Sequence, residues 1–389
     1  RSENRETRTM RIMISCGEAS GDMYAGALAA ELRRRVPDAE IFGFGGPRLK
    51  AAGGRLVGDY GPLSVTGITE AVKIIPRSFA MLRKLVDAAR ELRPHVFVAI
   101  DFPDFNFRLM AALRRLGIPI VYYVSPQLWA WRPGRMETMK EYVDRVLVIF
   151  PFEEALYQRA GVSVQFVGHP LVDLIRTGQD RVAFLHDRGL NPEAPTVALL
   201  PGSRRNELNR IVPIVTQALP LIRERVPGVQ FVVACAPGMP DNLFAPLVNE
   251  ANESLVLVRD RTDDVLAASD VVITASGTAT IQAALHERPM VVVYKVSPIE
   301  YRLGKPLVKV DTFAMPNLVA GKRIVPELIQ DDFTPERTAA ETISLLTDVN
   351  KREEMRAALA DVRRQLGTPG ATARAAETVL EVATTAMSR

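Results

Sequence analysis

The stretch Arg11-Ile12-Met13-Ile14-Ser15-Cys16-Gly17-Glu18-Ala19-Ser20-Gly21-Asp22 decides how the rest of the chain is read. A strand-like apolar run, Arg11–Ser15, ends in a turn of small residues. A helical pattern, Ser20–Val36, follows and closes in basic residues, a helix stop signal. Strand into helix through such a turn opens a βα repeat, and the passage recurs. Further strand candidates lie at Glu40–Phe44, Val96–Asp101, Ile120–Val124, Val146–Phe150 and Val164–Val167, with helix candidates at Ser78–Arg93 and Phe105–Leu116. A second series opens after Pro195. Its strands are Thr196–Leu200, Gln230–Ala236, Leu255–Val258, Val271–Thr274 and Met290–Tyr294; its helices are Asn206–Val226, Thr278–His286 and Pro335–Asp348. Short β-branched runs alternating with longer helical patterns mark a parallel sheet covered on both faces.

Two such series in 389 residues exceed what one hydrophobic core usually serves. They predict an α/β chain of two Rossmann-like, doubly wound domains facing each other across a cleft. The strand rhythm pauses over Gly168–Asn191, which puts the join there, with domains at 1–180 and 181–389. The tail Asn350–Met387 reads as two helices broken at Gly367–Gly370 and able to pack back on the first domain.

Composition excludes several classes. Two cysteines, Cys16 and Cys235, supply neither a disulfide framework nor a zinc site, and a reducing cytoplasm fits best. The polar start Arg1–Thr9 is not a signal peptide, and no apolar run approaches the roughly 18 residues of a spanning helix. With four scattered histidines and no Asp-x-Asp pair, no metal and no cofactor are expected; Asp263-Asp264 and Asp331-Asp332 read as helix starts. The net charge of +4 suits anionic lipid, a phosphorylated substrate or nucleic acid, but the basic residues form no nucleic-acid module.

Open parallel sheets bind ligands beyond the C-terminal ends of their strands, and four segments fall there. In the first, Gly17 to Asp22, small residues allow close backbone approach, with Ser20, Gly21 and Asp22 as ligand contacts; the plain alternative is a strand–helix turn capped by Ser20. It is no dinucleotide fingerprint, since Gly17 and Gly21 are four apart. In the second, Leu199-Leu200-Pro201-Gly202-Ser203-Arg204, Gly202 permits approach, Ser203 donates a hydrogen bond and Arg204 offers a planar fork to phosphate, or forms an interdomain ion pair. In the third, Thr274 to Thr280, Ser276, Gly277 and Thr278 make an anion site at a helix N-terminus, and Gln282 one turn on reaches a sugar hydroxyl or faces solvent. In the fourth, Ile100-Asp101-Phe102-Pro103-Asp104-Phe105-Asn106, Asp101 ends a strand and is the better general base, while Asp104 caps a helix. His169 is a base or a satisfied hinge residue. Tyr122, Tyr123, Trp129 and Trp131 stack on a sugar or base, or fill a core.

Within Leu63–Val86, the residues Ile68, Val72, Ile75, Phe79 and Leu82 recur at helical spacing beside Lys73, Arg77, Arg83 and Lys84, with Pro76 expected to kink or divide the element. An apolar face with basic neighbours suits an anionic membrane surface or acyl chains, or else packs on its own sheet.

In combination these segments closely resemble the lipid-A-disaccharide synthases, glycosyltransferases of the two-Rossmann GT-B architecture. The likeness runs from Arg11 to the last helix. It rests on Gly17–Asp22, Ile100–Asn106, Tyr123-Val124-Ser125-Pro126-Gln127-Leu128-Trp129-Ala130-Trp131-Arg132, Gly168-His169-Pro170, Leu200–Arg204, Ser276–Thr280 and Pro316-Asn317-Leu318. The resemblance implies transfer of 2,3-diacylglucosamine from its UDP conjugate to 2,3-diacylglucosamine 1-phosphate at the inner face of the cytoplasmic membrane. The products are a β-1,6-linked disaccharide 1-phosphate and UDP. It implies catalysis by Asp101, donor phosphates on Arg204 and a donor contact by Asn317. The first domain would take the acceptor and dock on the membrane; the second would bind the UDP-sugar. Two positions depart from the pattern: Ala19 replaces a threonine, and Gln282 a glutamate that contacts ribose.

The mechanism expected is a single inverting displacement. Asp101, with Glu18 second, takes the proton of the acceptor hydroxyl, while Arg204 and the Gly277–Thr278 N–H groups offset charge on departing UDP without a metal. The alternatives are another GT-B enzyme with a UDP-N-acetylglucosamine-type donor, such as an epimerase or a lipid-linked glycosyltransferase, and a non-catalytic sugar-nucleotide binder.

Overall fold

The structure, a computed structural model, describes residues 9–61, 68–126, 134–251, 254–297, 301–302 and 312–388. Two wholly parallel sheets carry the fold. The first runs β3-β2-β1-β4-β5-β6-β7, with β1 Arg11–Cys16, β2 Glu40–Gly45, β3 Arg55–Asp59, β4 Val96–Ile100, β5 Ile120–Tyr123, β6 Arg145–Val148 and β7 Val164–Phe166. β1 pairs with β2 on one side, Ile12 beside Ile41, and with β4 on the other, Ile12 beside Val96. The second runs β10-β9-β8-β11-β12-β13, with β8 Thr196–Leu200, β9 Gln230–Cys235, β10 Leu255–Arg259, β11 Val271–Ala275, β12 Met290–Tyr294 and β13 Glu327–Ile329. Both sheets start in the middle and reverse their order between the first and fourth strands of the series. All five residues of β4, β8 and β11 are buried, as central strands covered on both faces require.

The expected strands are present, and two edge strands join them. β3 is only partly buried and β13 has three residues, so neither carries the apolar run that marks a central strand. The helix expected from Ser78 extends from Ile68 to Leu92 as one element of 25 residues with Pro76 inside it. Pro76 therefore does not divide it: one missing donor leaves the rest of the hydrogen-bond ladder intact.

The chain forms two compact units. One extends to Asp173 and resumes at Gly367; the other is Leu174–Leu366. The returning helix, Ala371–Met387, lies against the helix Ala19–Arg35 and against β4 and β5. Its N-terminus is held by Asp173, which accepts from the Gly370 and Thr372 N–H groups at 2.6 and 2.9 Å. Arg374 donates to Val167 O at 2.8 Å and to the carbonyls of Thr368 and Pro369. A side chain at Gly367 would reach within 3.2 Å of the Gly168 Cα, so the two passages of the chain touch backbone to backbone.

His169 lies in that crossing, 2% exposed, edge-on to Tyr24 and beside Phe150, with its Nδ1 accepting from the Leu171 N–H at 3.2 Å. Its burial and its Nδ1 contact favour a structural role over that of a base. Burial lowers its pKa from the ordinary 6.5 to about 3, so the ring stays neutral. The unfolded chain binds a proton here that the folded chain excludes, so stability is complete above pH 6.5 and is lost as the pH falls toward 3. From pH 7 to pH 5 the residue removes ~2 kcal/mol of unfolding free energy. Urea midpoints at the two pH values should show a smaller difference in His169→Gln than in the parent chain.

Candidate active site

In the first unit the exits of β1 and β4 adjoin at the order reversal. Gly17 makes room there for a side chain of the protein: a Cβ on it would lie 2.1 Å from the Phe102 ring, which packs with Phe44 and Phe105. Gly21 is buried with its Cβ position 3.2 Å from that of Cys16, allowing helix to approach strand. Asp22, expected among substrate contacts, is buried and accepts from the Gly46, Arg48 and Leu49 N–H groups at 2.8, 2.8 and 3.1 Å. Its carboxylate anchors the short helix Pro47–Ala51 instead. Glu18 stands at the N-cap, half-buried, with the Ser20 hydroxyl 3.5 Å from its Oε1.

The β4 exit is unusual. Asp101 and Phe102 have φ of 45° and 50°, two successive non-glycine residues in the left-handed region. The Asp101 carbonyl accepts from Asn106 Nδ2 at 2.7 Å and from the Tyr122 hydroxyl at 2.8 Å. Asn106 Oδ1 accepts from the Ser15 hydroxyl at 2.7 Å. Burial, then the Asp101 charge, pushes the Tyr122 hydroxyl well above its ordinary pKa, which keeps it a donor. Asp101 itself is half-buried. Asp104 lies in the first turn of the helix Pro103–Arg114 and pairs with Arg135 at 2.5 Å; it does not cap the helix, whose N-cap is Phe102. Tyr122 and Tyr123 are core residues; Trp129 and Trp131 lie outside the described residues.

The second unit repeats the reversal between β8 and β11. At the β8 exit Gly202 has φ 131°, and a Cβ there would lie 2.8 Å from Glu207. Glu207 accepts from the Ser203 and Arg204 N–H groups at 3.0 and 3.3 Å, and the exposed Arg204 guanidinium lies 3.4 Å from its carboxylate. At the β11 exit Gly277, φ 136°, begins the helix Thr278–Leu285; among the described residues it has no side-chain cap, and beyond its chain neighbours no atom lies within 4 Å of the Gly277 Cβ position. First-turn N–H groups without a cap are a ready anion site. Ser276 instead donates to the Phe313 carbonyl at 3.1 Å. Gln282 is half-buried, one turn into the helix.

Asn317, expected to contact the donor, has its amide engaged within the protein. It is buried, donates to Val325 O and Glu327 Oε1 at 3.0 and 2.6 Å, and accepts from the Ile324 and Val325 N–H groups. With both ends of the amide engaged, it shapes a turn. Glu327 gathers the same region, accepting also from the Thr312 hydroxyl and from the Phe313 and Ala314 N–H groups.

Of the apolar stripe, Leu82 is half-buried and packs with Met81 and Val86 against the sheet core. Phe79 is 54% exposed, with Arg108 over its ring at 5.4 Å and Arg77 exposed nearby. The side chains of Ile68, Val72 and Ile75 lie outside the described residues. Among the described residues no group of three or more His, Cys, Asp or Glu could hold a metal ion, and no helix is long and apolar enough to cross a membrane.

The sequence pattern of the Lipid-A-disaccharide synthetase family matches residues 12–382. The chain belongs to that family. It is similar to the lipid-A-disaccharide synthase of Myxococcus xanthus (strain DK1622), 46% identical over 97% of this chain and 98% of the relative, and to that of Geobacter sulfurreducens, 43% identical over 97% and 98%. Membership makes the chain a glycosyltransferase. Among solved structures it resembles UDP-GlcNAc 2-epimerase from Neisseria meningitidis bound to UDP-GlcNAc (TM-score 0.69, 12% identity, 96% of this chain and 100% of that one). It also resembles MurG from Acinetobacter baumannii (TM-score 0.58, 13% identity, 96% and 99%). At such identities the likeness is one of fold, two Rossmann-like domains of the GT-B kind.

In this synthetase-family chain the reading from residues passed over Glu207 and Glu327. A glutamate three positions after a helix start is a capping signal that could have found Glu207; Glu327 has no local signal. Asn317→Asp sets a second carboxylate against Glu327 and should lower unfolding free energy by roughly 2–4 kcal/mol. Unchanged thermal stability would mean that the side chain is turned toward a ligand in solution.

Proposed function

We propose that this chain transfers 2,3-diacylglucosamine from its UDP conjugate to the 6-hydroxyl of 2,3-diacylglucosamine 1-phosphate by one inverting displacement that needs no metal. Formation of the lipid A disaccharide, with a UDP-sugar donor and a lipid acceptor, accords with membership of the family. The observation that carries the mechanism is the β8/β11 reversal, where an exposed guanidinium and a helix without a side-chain cap occupy neighbouring strand exits.

As the acceptor oxygen bonds to the anomeric carbon, the bond from that carbon to UDP breaks and inverts the centre. The hydroxyl proton passes to a carboxylate, Asp101 first and Glu18 second. Negative charge on departing UDP is met by Arg204 and by the Thr278 end of its helix, whose backbone N–H groups are already in place. Arg204 leaves its contact with Glu207, or shares it, when the diphosphate arrives. Gly202, Ser203, Gly277 and Gln282 line the nucleotide side in this reading, and Ser20 the acceptor side. Phe79 with Arg77 and Arg83 meets an anionic membrane surface, holding the enzyme where its acylated substrates lie.

A coupled assay of UDP release with both diacylated sugars tests the reaction. Release should require the acceptor, and donor binding without release would mark a non-catalytic binder. Asp101→Asn should lower kcat at least about 100-fold with UDP still bound, and EDTA should leave the parent rate unchanged. Full activity in that variant moves the base elsewhere. Phe79→Ser should weaken sedimentation with anionic vesicles while unfolding free energy stays within about 0.5 kcal/mol, as for an exposed site.

A further inference from the structure

We infer that Asn106 is a positioning residue for the Asp101 carboxylate, acting through the backbone it locks at the β4 exit. The inference rests on the reading of Asp101 as the base. Two consecutive L residues in the left-handed region are costly, and an aromatic such as Phe102 is poorly suited to it. Such a conformation persists only where its surroundings over-determine it, and here three elements do so. Asn106 from the following helix and Tyr122 from β5 both donate to the Asp101 carbonyl, filling its two lone pairs. Ser15 from β1 donates to Asn106 Oδ1, while the carbonyls of Asp101, Ser15 and Ile100, which can only accept, fix the Nδ2 end of the amide toward themselves. A flipped amide would set its oxygen against the Asp101 oxygen. Asn106 and Ser15 are fully buried, so none of these groups has water as an alternative partner.

The turn from strand to helix does not itself demand this arrangement. β11 holds the same place in the second sheet that β4 holds in the first, and its chain reverses on a single glycine, Gly277, with no run of left-handed residues. Glycine would serve the β4 exit at lower cost, but it would carry no carboxylate. The first unit instead keeps an acid in the strained position and surrounds its carbonyl with donors. The clamp fixes the direction in which the Asp101 side chain leaves the backbone, and catalytic groups lose rate steeply when they are displaced.

A double-mutant cycle tests this. Asn106→Ala should lower kcat for UDP release about 10- to 100-fold, leaving the donor KM and UDP affinity within about twofold. Tyr122→Phe, which removes one donor and keeps the buried ring, should give a smaller loss of the same kind, and it carries the cycle alone should Asn106→Ala not fold. In the Asp101→Asn background either change should have no further effect on the residual rate, because the group being positioned is gone. Equal losses in both backgrounds, or a loss in UDP affinity rather than kcat, would show a purely structural residue and overturn the inference alone. Full activity of Asp101→Asn by itself would remove the base, and the inference with it.

Discussion

In a parallel sheet every strand ends on the same side, and where the strand order reverses, two neighbouring chains leave in opposite directions and open a crevice. This chain meets that condition at β1/β4 and again at β8/β11. The segments proposed to carry chemistry are the exits of those four strands: the turn at Gly17–Glu18, the strained pair Asp101–Phe102, the Pro-Gly-Ser-Arg turn and the Gly277–Thr278 helix start. Their sequence separation is large, yet the ladders bring them together pairwise within each unit. β4 pairs with β1 through five registered residues, and β11 with β8 through four.

Acidic side chains hold turns and helix starts throughout both units. Asp22, Asp173, Glu207, Asp264 and Glu327 each accept from two or more backbone N–H groups, in turns or at helix starts. A carboxylate in such a place supplies the negative charge that a helix start or turn would otherwise draw from solvent. The helix starting at Thr278 has no side-chain cap among the described residues, a condition it shares with the helix Ala19–Arg35.

The central strands were legible because burial on both faces leaves unbroken apolar runs, as in Val96–Ile100 and Met290–Tyr294. β3 and β13 were not, being edges with little to bury. At the candidate site the residue types were readable but their partners were not. Gly17 is visibly special in the sequence, yet whether the missing side chain makes room for a ligand or for Phe102 depends on a contact 85 positions away. Asn317 reads as a polar residue beside a proline; only the fold shows its amide closed on Val325 and Glu327. Pro76 in a helix and His169 in a core follow the same rule. Local chemistry names the group, while its neighbours in space decide its work.

The discontinuous first unit has a consequence for how the protein is made. Its β4 and β5 lie under the helix Ala371–Met387, and Asp173 caps that helix across nearly two hundred residues. The ribosome therefore delivers the whole of Leu174–Leu366, a continuous unit, before the first unit receives the helix Ala371–Met387. Until then the part of β4 and β5 beneath Ala371–Met387 lacks that cover, and the apolar side chains there stay exposed to water.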